Sequence, residues 1–193
     1  MTRKYELRRR AERQAETRRR IVEATVQLHG TVGPRHTQVS EIAGLAGVER
    51  VTVYRHFPDD ASLYRACSAH FLGKYPPPEV ESWASVADPG ERLRTGLGSL
   101  YVYFAEHERL IANIQRDADM MGIEVEFLVM KERTVEVLSA GWGARGRRKK
   151  LVGAAIDLAC HFHTWRTLVR DRSLASGDAV ELMVSLVRTA ATG

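Results

Sequence analysis

The chain has 193 residues and a mass of 21.7 kDa, which leaves room for one large domain or two small ones and excludes a large multidomain enzyme. At 44% hydrophobic and 27% charged residues it has the composition of a folded protein with a packed core. Net charge is +5, and it is unevenly spread: residues 1–57 carry 12 Lys/Arg against 6 Asp/Glu, while the remainder carries 17 against 18. The basic excess lies in the N-terminal third, which favours a polyanionic partner there.

In chain order, residues 1–20 form a cationic segment, with Arg3, Lys4, Arg8, Arg9, Arg10, Arg13, Arg18, Arg19 and Arg20 against Glu6, Glu12 and Glu16. It reads either as a solvated extension of the first helix or as an arm reaching phosphates or the minor groove of a duplex. No apolar run follows it as a secretory signal requires, and no stretch of about 18 apolar residues is present, so the expectation is a cytoplasmic protein without a membrane partner. Ile21, Ala24, Thr25 and Leu28 give the first clear apolar helix face, which ends in the loop Gly30 to Pro34. Thr37 is placed to cap a short helix through Ala46, Gly47 breaks it, and a second short helix runs to about Phe57. A helix from Asp60 to about Gly73 ends at Tyr75-Pro-Pro-Pro78, because consecutive prolines remove donors and fix φ.

Further helices are predicted at 89–106, 108–118, 120–140, 146–172 and 177–191, the first announced by Asp88-Pro-Gly-Glu91 as cap, first helical proline and third-position glutamate. No period-2 alternation competes, so the predicted fold is all-α. The division is 1–20 as arm or helix extension, 21–74 as a small basic domain and 75–193 as a larger bundle. The last two helices are apolar on more than one face, with Leu182 and Leu186 forming a second stripe beside Val180, Met183, Val184 and Val187. That width predicts a homodimer joined through a four-helix bundle.

Residues 37–57 have the spacing of a helix-turn-helix. Ala43 is small where two helices would cross, Gly47 tolerates positive φ at the turn, and Ile42, Ala46, Val48 and Val53 fall where they pack the pair together. The outer face of the second helix then offers Glu49, Arg50, Thr52, Tyr54, Arg55 and His56, a mixture suited to base edges and phosphates.

From Thr37-Gln-Val-Ser-Glu-Ile-Ala43 through Ala46-Gly-Val48 to Thr52-Val-Tyr-Arg-His-Phe-Pro58 and Leu63, the chain resembles the tetracycline-repressor (TetR) family of bacterial transcription regulators. The resemblance implies a dimeric regulator, a repressor released by a small-molecule effector, with one recognition helix per subunit in successive major grooves of a palindromic operator. It assigns Gln38, Arg50 and Thr52 chiefly to bases and Thr37, Tyr54 and His56 chiefly to phosphates. Tyr54 also has a reading as partly core. The chain departs from the family pattern at Glu49 and Val51, where a small cap and a glycine are usual, and at Asp59 and Asp60, where a phosphate-binding lysine is common.

The resemblance also implies an effector pocket in the C-terminal bundle, with Tyr101, Phe104, Phe127 and Trp165 as apolar lining and Gln115, Asp119, His161 and His163 as polar lining. No cofactor, metal site or catalytic set is expected. Gly141-Trp-Gly-Ala-Arg-Gly146 matches a dinucleotide fingerprint in letters only, since it follows a helix rather than a strand. Cys160-His-Phe-His163 does not chelate one ion on a single helix, because residues two apart point to opposite sides. The alternatives of other classes are an architectural DNA-binding protein without an effector and a helical enzyme with a cryptic site.

Overall fold

The computed structural model of the chain describes residues 3–117 and 124–192, with side chains for 5–117 and 131–192. Among them every regular element is helical and no strand occurs. The order is α1 (Arg3–Thr31), a 3-10 turn (Pro34–His36), α2 (Val39–Ala46), α3 (Arg50–His56), α4 (Asp60–Lys74), α5 (Val80–Ala84), α6 (Pro89–Glu106), α7 (Glu108–Arg116), α8 (Glu124–Ser139), α9 (Arg147–Ala159), α10 (Phe162–Trp165), a π-helical segment (Arg166–Asp171) and α11 (Ser176–Thr192). No helix among the described residues is long and apolar enough to cross a membrane.

The described residues divide into two compact units. The first holds those up to Pro76 together with Arg109 to Asp117; the second holds Pro77–Glu108 and everything from Glu124. In the first, the stretch 3–20 is continuous with the first helix, and α1 becomes buried only from Ile21 onward. Ile21, Val22 and Ala24 form a core with Ile42, Ala43, Ala46, Val53, Phe57, Leu63 and Cys67, so α1 is the strut on which α2, α3 and α4 assemble. Gly47 takes φ 64° and ψ 42°, a left-handed conformation that costs glycine little, and the next N–H, Val48, closes back on the Ala43 carbonyl at 2.9 Å. Asp59 caps α4, its Oδ1 accepting from the Ser62 N–H at 2.6 Å.

The grouping of residues 109–117 with the N-terminal unit departs from the expected partition at 74/75, and polar contacts explain it. Asn113 Nδ2 donates to the His29 carbonyl at 2.9 Å and Arg109 Nη2 to the Thr31 carbonyl at 2.9 Å. The buried Asp117 accepts the Arg35 N–H at 3.0 Å while paired with Arg116 at 2.9 Å. Together these hold the loop that leads into α2. Gly33 sits in that loop at φ 92°, and a Cβ there would collide with the Arg116 guanidinium and lie 2.8 Å from Asp117 Oδ2.

In the second unit α6 starts as its sequence predicts, with Asp88 Oδ1 accepting the Glu91 N–H at 2.8 Å and Pro89 in the first turn. Arg92 is buried and donates to the carbonyls of Val86 and Ala140, tying the start of α6 to the end of α8. The five-residue α5 was not predicted; it exists to bury Trp83, which lies 3% exposed beside Gly96 of α6.

The predicted helix 146–172 is not continuous. It breaks at Cys160–His161, His161 being extended at φ −74° and ψ 135°. Helical phase explains the break. At 100° per residue a straight helix would carry Phe162 roughly 80° and Trp165 roughly 140° away from the stripe of Val152, Ile156 and Ala159. The interruption resets the phase, and all five side chains are buried.

A candidate nucleic-acid interface

Val53 is 1% exposed and fixes the rotation of α3. Val51 and Arg55 each lie roughly 160° round the helix from it, so they point most directly outward, flanked by Arg50 and Tyr54 on one side and Thr52 on the other. Exposure follows that phase: Val51 is 56% and Tyr54 50% exposed, Arg50 and Arg55 are exposed, and Thr52 and His56 are half-buried. The reading of Tyr54 as partly core gives way to an outward ring. Arg50 opens α3 directly after the N-cap Glu49, whose side chain makes no capping bond.

Gln38 is exposed at the N-cap of α2, where its N–H donates to Glu41 Oε2 at 2.9 Å, a contact that fixes the turn in front of the helix. Thr37 is half-buried, and its hydroxyl donates to the Gly33 carbonyl at 2.8 Å, so it would have to turn away from that carbonyl to give its proton to a phosphate. His56 is held below its ordinary range by burial first, then by the Arg18 and Arg55 charges, which keeps its ring neutral at pH 7 with one N–H to donate. Ile42, Ala43 and Val53 are buried, and Val48 packs half-buried against the same core, as the helix-turn-helix spacing predicts.

Val51, which the sequence reading noted only as a departure from the family pattern, is outward-facing, and the phase set by Val53 could have shown it. Arg18 of α1, expected only as part of the cationic segment, lies with its guanidinium 4.7 Å from the centroid of the Phe57 ring at the end of α3, a placement that only the tertiary packing reveals. Asp59 is spent on the α4 cap.

The residues expected to line an effector pocket are not all brought together. Tyr101, Phe104 and Trp165 do meet: Phe104 lies 6.3 Å from Tyr101 and 6.0 Å from Trp165 between ring centroids, with Phe162 edge-on to Phe104 at 5.6 Å. Tyr101 donates to the Ala159 carbonyl at 3.0 Å, whereas the indole Nε1 of the fully buried Trp165 has no hydrogen-bond partner among the described residues. The π-helical segment begins immediately after it. His161 and His163 are exposed; His161 Nε2 lies 3.4 Å from Lys131 Nζ, and the His163 ring lies 5.8 Å from Phe162. Gln115 belongs to the first unit, its Oε1 buried without a hydrogen-bond partner among the described residues. Asp119 lies outside the described residues, as does the side chain of Phe127 in α8. Among the described residues no three His, Cys, Asp or Glu side chains are grouped to hold a metal ion.

Residues 21–67 match the family model "Bacterial regulatory proteins, tetR family". Among curated proteins no sequence matches this chain. Its fold is similar to that of a TetR-like transcriptional regulator from Rhodococcus sp. RHA1, at 18% identity and a TM-score of 0.64 over 89% of this chain and 93% of that one. It is also similar to a Clostridium perfringens protein named as a fatty acid metabolism regulator (16% identity, TM-score 0.61, 89% and 97% covered). A third similar structure is RolR in complex with resorcinol (16%, 0.50, 94% and 96%).

Proposed function

We infer that this chain, a DNA-binding transcriptional regulator with the reading head of the bacterial tetR family, acts as a homodimeric repressor. Each subunit lays α3 in the major groove of one half of a palindromic operator, and a small-molecule effector releases it. The observation that carries this reading is the outward face of α3, where Arg50, Val51, Tyr54 and Arg55 stand exposed on a seven-residue helix locked by Val53.

Each of these groups has a chemistry to contribute. The Arg50 guanidinium, on the first turn of α3, is suited to bidentate pairing with guanine O6 and N7. Val51, in the place of a glycine, offers methyl groups to a thymine C5-methyl, which makes the departure from the family pattern a source of base preference. Gln38 and Thr52 complete the base set; Thr37, Tyr54, Arg55 and neutral His56 serve phosphates.

For the effector, the Tyr101, Phe104, Phe162 and Trp165 cluster is the favoured site. Its aromatic walls suit an apolar ligand, and the orphaned Trp165 N–H is a donor awaiting an acceptor atom. A π-helical turn beside it is the kind of irregularity that accompanies binding sites. Linkage then requires that an effector favouring the DNA-incompetent arrangement weaken operator binding by the factor by which the operator weakens effector binding.

The test is Arg50→Ala measured on a preferred duplex and on the same duplex with its contacted guanine replaced. The expected result is a loss of about 1–3 kcal/mol of discrimination at that base with little change on random DNA. Equal preference before and after the substitution would remove α3 from the role of reader.

A further inference from the structure

The N-terminal half of α1 has no core to serve. From Tyr5 to Arg20 the helix runs roughly 24 Å, and every residue on it except Thr17 is exposed. Its two sides differ in charge bookkeeping. On one, Arg8 pairs with Glu12 at 2.9 Å, and Arg19 pairs with Glu16 and Glu23 at 2.7 Å each. On the other, Arg9, Arg10, Arg13 and Arg20 fall within an arc of roughly 100°, and among the described residues none of them forms an ion pair within 4.0 Å, although the Arg20 charge acts on Glu16. Arg9 stacks on Tyr5 at 5.7 Å, and Arg13 Nε reaches the Arg9 carbonyl at 3.3 Å; Glu6 is the one acid on that side.

Position ties this stripe to the reading head. Arg20 Nη1 lies 3.7 Å from where a Cβ on Gly47 would stand, so the stripe ends against the helix-turn-helix turn. The helix that carries it is the same one whose Ile21, Val22 and Ala24 pack the core behind α2 and α3. A bilayer surface is the poorer match, because the segment has only Tyr5 and Leu7 as large apolar side chains and no continuous apolar face. A duplex backbone supplies a line of phosphates that a row of arginines can neutralise.

We propose that Arg9, Arg10, Arg13 and Arg20 form a second DNA contact, in which the free half of α1 holds backbone phosphates of the duplex flanking the half-site read by α3. This rests on the reading of α3 given above and extends the footprint beyond the bases it recognises. The contact carries charge but no sequence information.

The experiment compares the full-length wild type with the triple variant Arg9→Gln, Arg10→Gln, Arg13→Gln, and with the triple Arg→Lys variant at the same positions. Affinity is measured from low to moderate salt on a duplex confined to the preferred site and on one extended by about ten base pairs at each end. Wild type is expected to bind the extended duplex more tightly, and the Gln variant to lose that gain. Its log-affinity against log-salt slope should fall by about 0.9 for each phosphate contact removed, on preferred and random DNA alike, while its base preference is kept. The Lys variant restores the slope. A Gln variant with the wild-type slope and the wild-type gain on extension overturns the proposal, as does a Gln variant that loses binding to phosphatidylserine vesicles and keeps its DNA binding unchanged. These substitutions sit on solvated positions, so folding is checked by an unchanged melting curve. Failure of the α3 assignment is read separately, because Arg50→Ala changes base preference and the arm variant changes salt dependence.

Discussion

At the scale of single residues, the most informative side chain is one that reads no base. His29 is buried at the end of α1, 5.5 Å from the Tyr64 ring, and burial pushes its pKa down to about 4 against a weaker upward pull from Asp117. The unfolded chain takes up a proton near 6.5 that the folded chain refuses. Stability from this group is therefore complete above about 6.5 and declines as pH falls toward 4. Asp117 acts in a lower window: the Arg116 hydrogen bond holds it at about 2, so its contribution is lost from 3.8 downward. The denaturant midpoint of wild type should fall between pH 6.5 and 4, and His29→Gln should fall less over that interval. An equal fall in both would show that His29 is not the titrating group.

At the scale of elements, α6 contains a built-in pair of tests. A Cβ on Gly96 would lie 2.9 Å from Leu138 Cδ2 and 3.2 Å from Trp83 Cε3, whereas one on Gly98 would meet nothing within 4 Å. Leu138 is fully buried and Trp83 is a rigid ring, so neither gives way easily. Helix propensity favours alanine over glycine by about 1 kcal/mol at either site, but overpacking costs about 1–3 kcal/mol at Gly96 alone. Thermal melts should show Gly98→Ala stabilised and Gly96→Ala destabilised. Similar gains at both positions would mean that α5, α6 and α8 do not pack as described.

The elements also show what a sequence can disclose. The helix-turn-helix was legible because its signals are local: a glycine at position 47 for a left-handed turn and buried positions at helical spacing; the cap, however, is Gln38 with Glu41 rather than the expected Thr37, whose hydroxyl turns back to the Gly33 carbonyl. Asp88-Pro89 announced α6 for the same reason. The break at Cys160 was illegible, since 3.6-residue periodicity persists on both sides and only the fixed positions of neighbouring helices reveal that the phase must be reset. The alliance of α7 with the N-terminal unit was equally hidden, because it depends on Asn113, Arg109 and Asp117 finding backbone groups about 80 residues away. Of the residues expected to line an effector pocket, Tyr101, Phe104 and Trp165 signalled burial correctly. His161 and His163 did not line the cluster, because the same break turns them outward.

At the scale of the molecule, charge and apolar surface divide the labour. The N-terminal unit carries the basic excess, concentrated on α1 and α3. The second unit leaves Leu151 and Leu158 on α9 and Leu182 and Leu186 on α11 between 40% and 52% exposed. Those pairs are seven and four residues apart, so each forms a single stripe on its helix, and α9 packs against α11. Large apolar side chains grouped in this way call for a partner, and pairing with the same helices of a second copy gives the four-helix interface of the proposed homodimer. A two-fold axis through it imposes two-fold symmetry on the DNA, with half-site centres about 34–36 Å apart or a multiple of that spacing.

Selection of bound duplexes from a random pool tests this arrangement most directly, since it asks the protein for its own operator. The account predicts enrichment of a sequence with two inverted half-sites, each containing a guanine placed for Arg50. Recovery of no preferred sequence, or of a single half-site without its inverted mate, would contradict it.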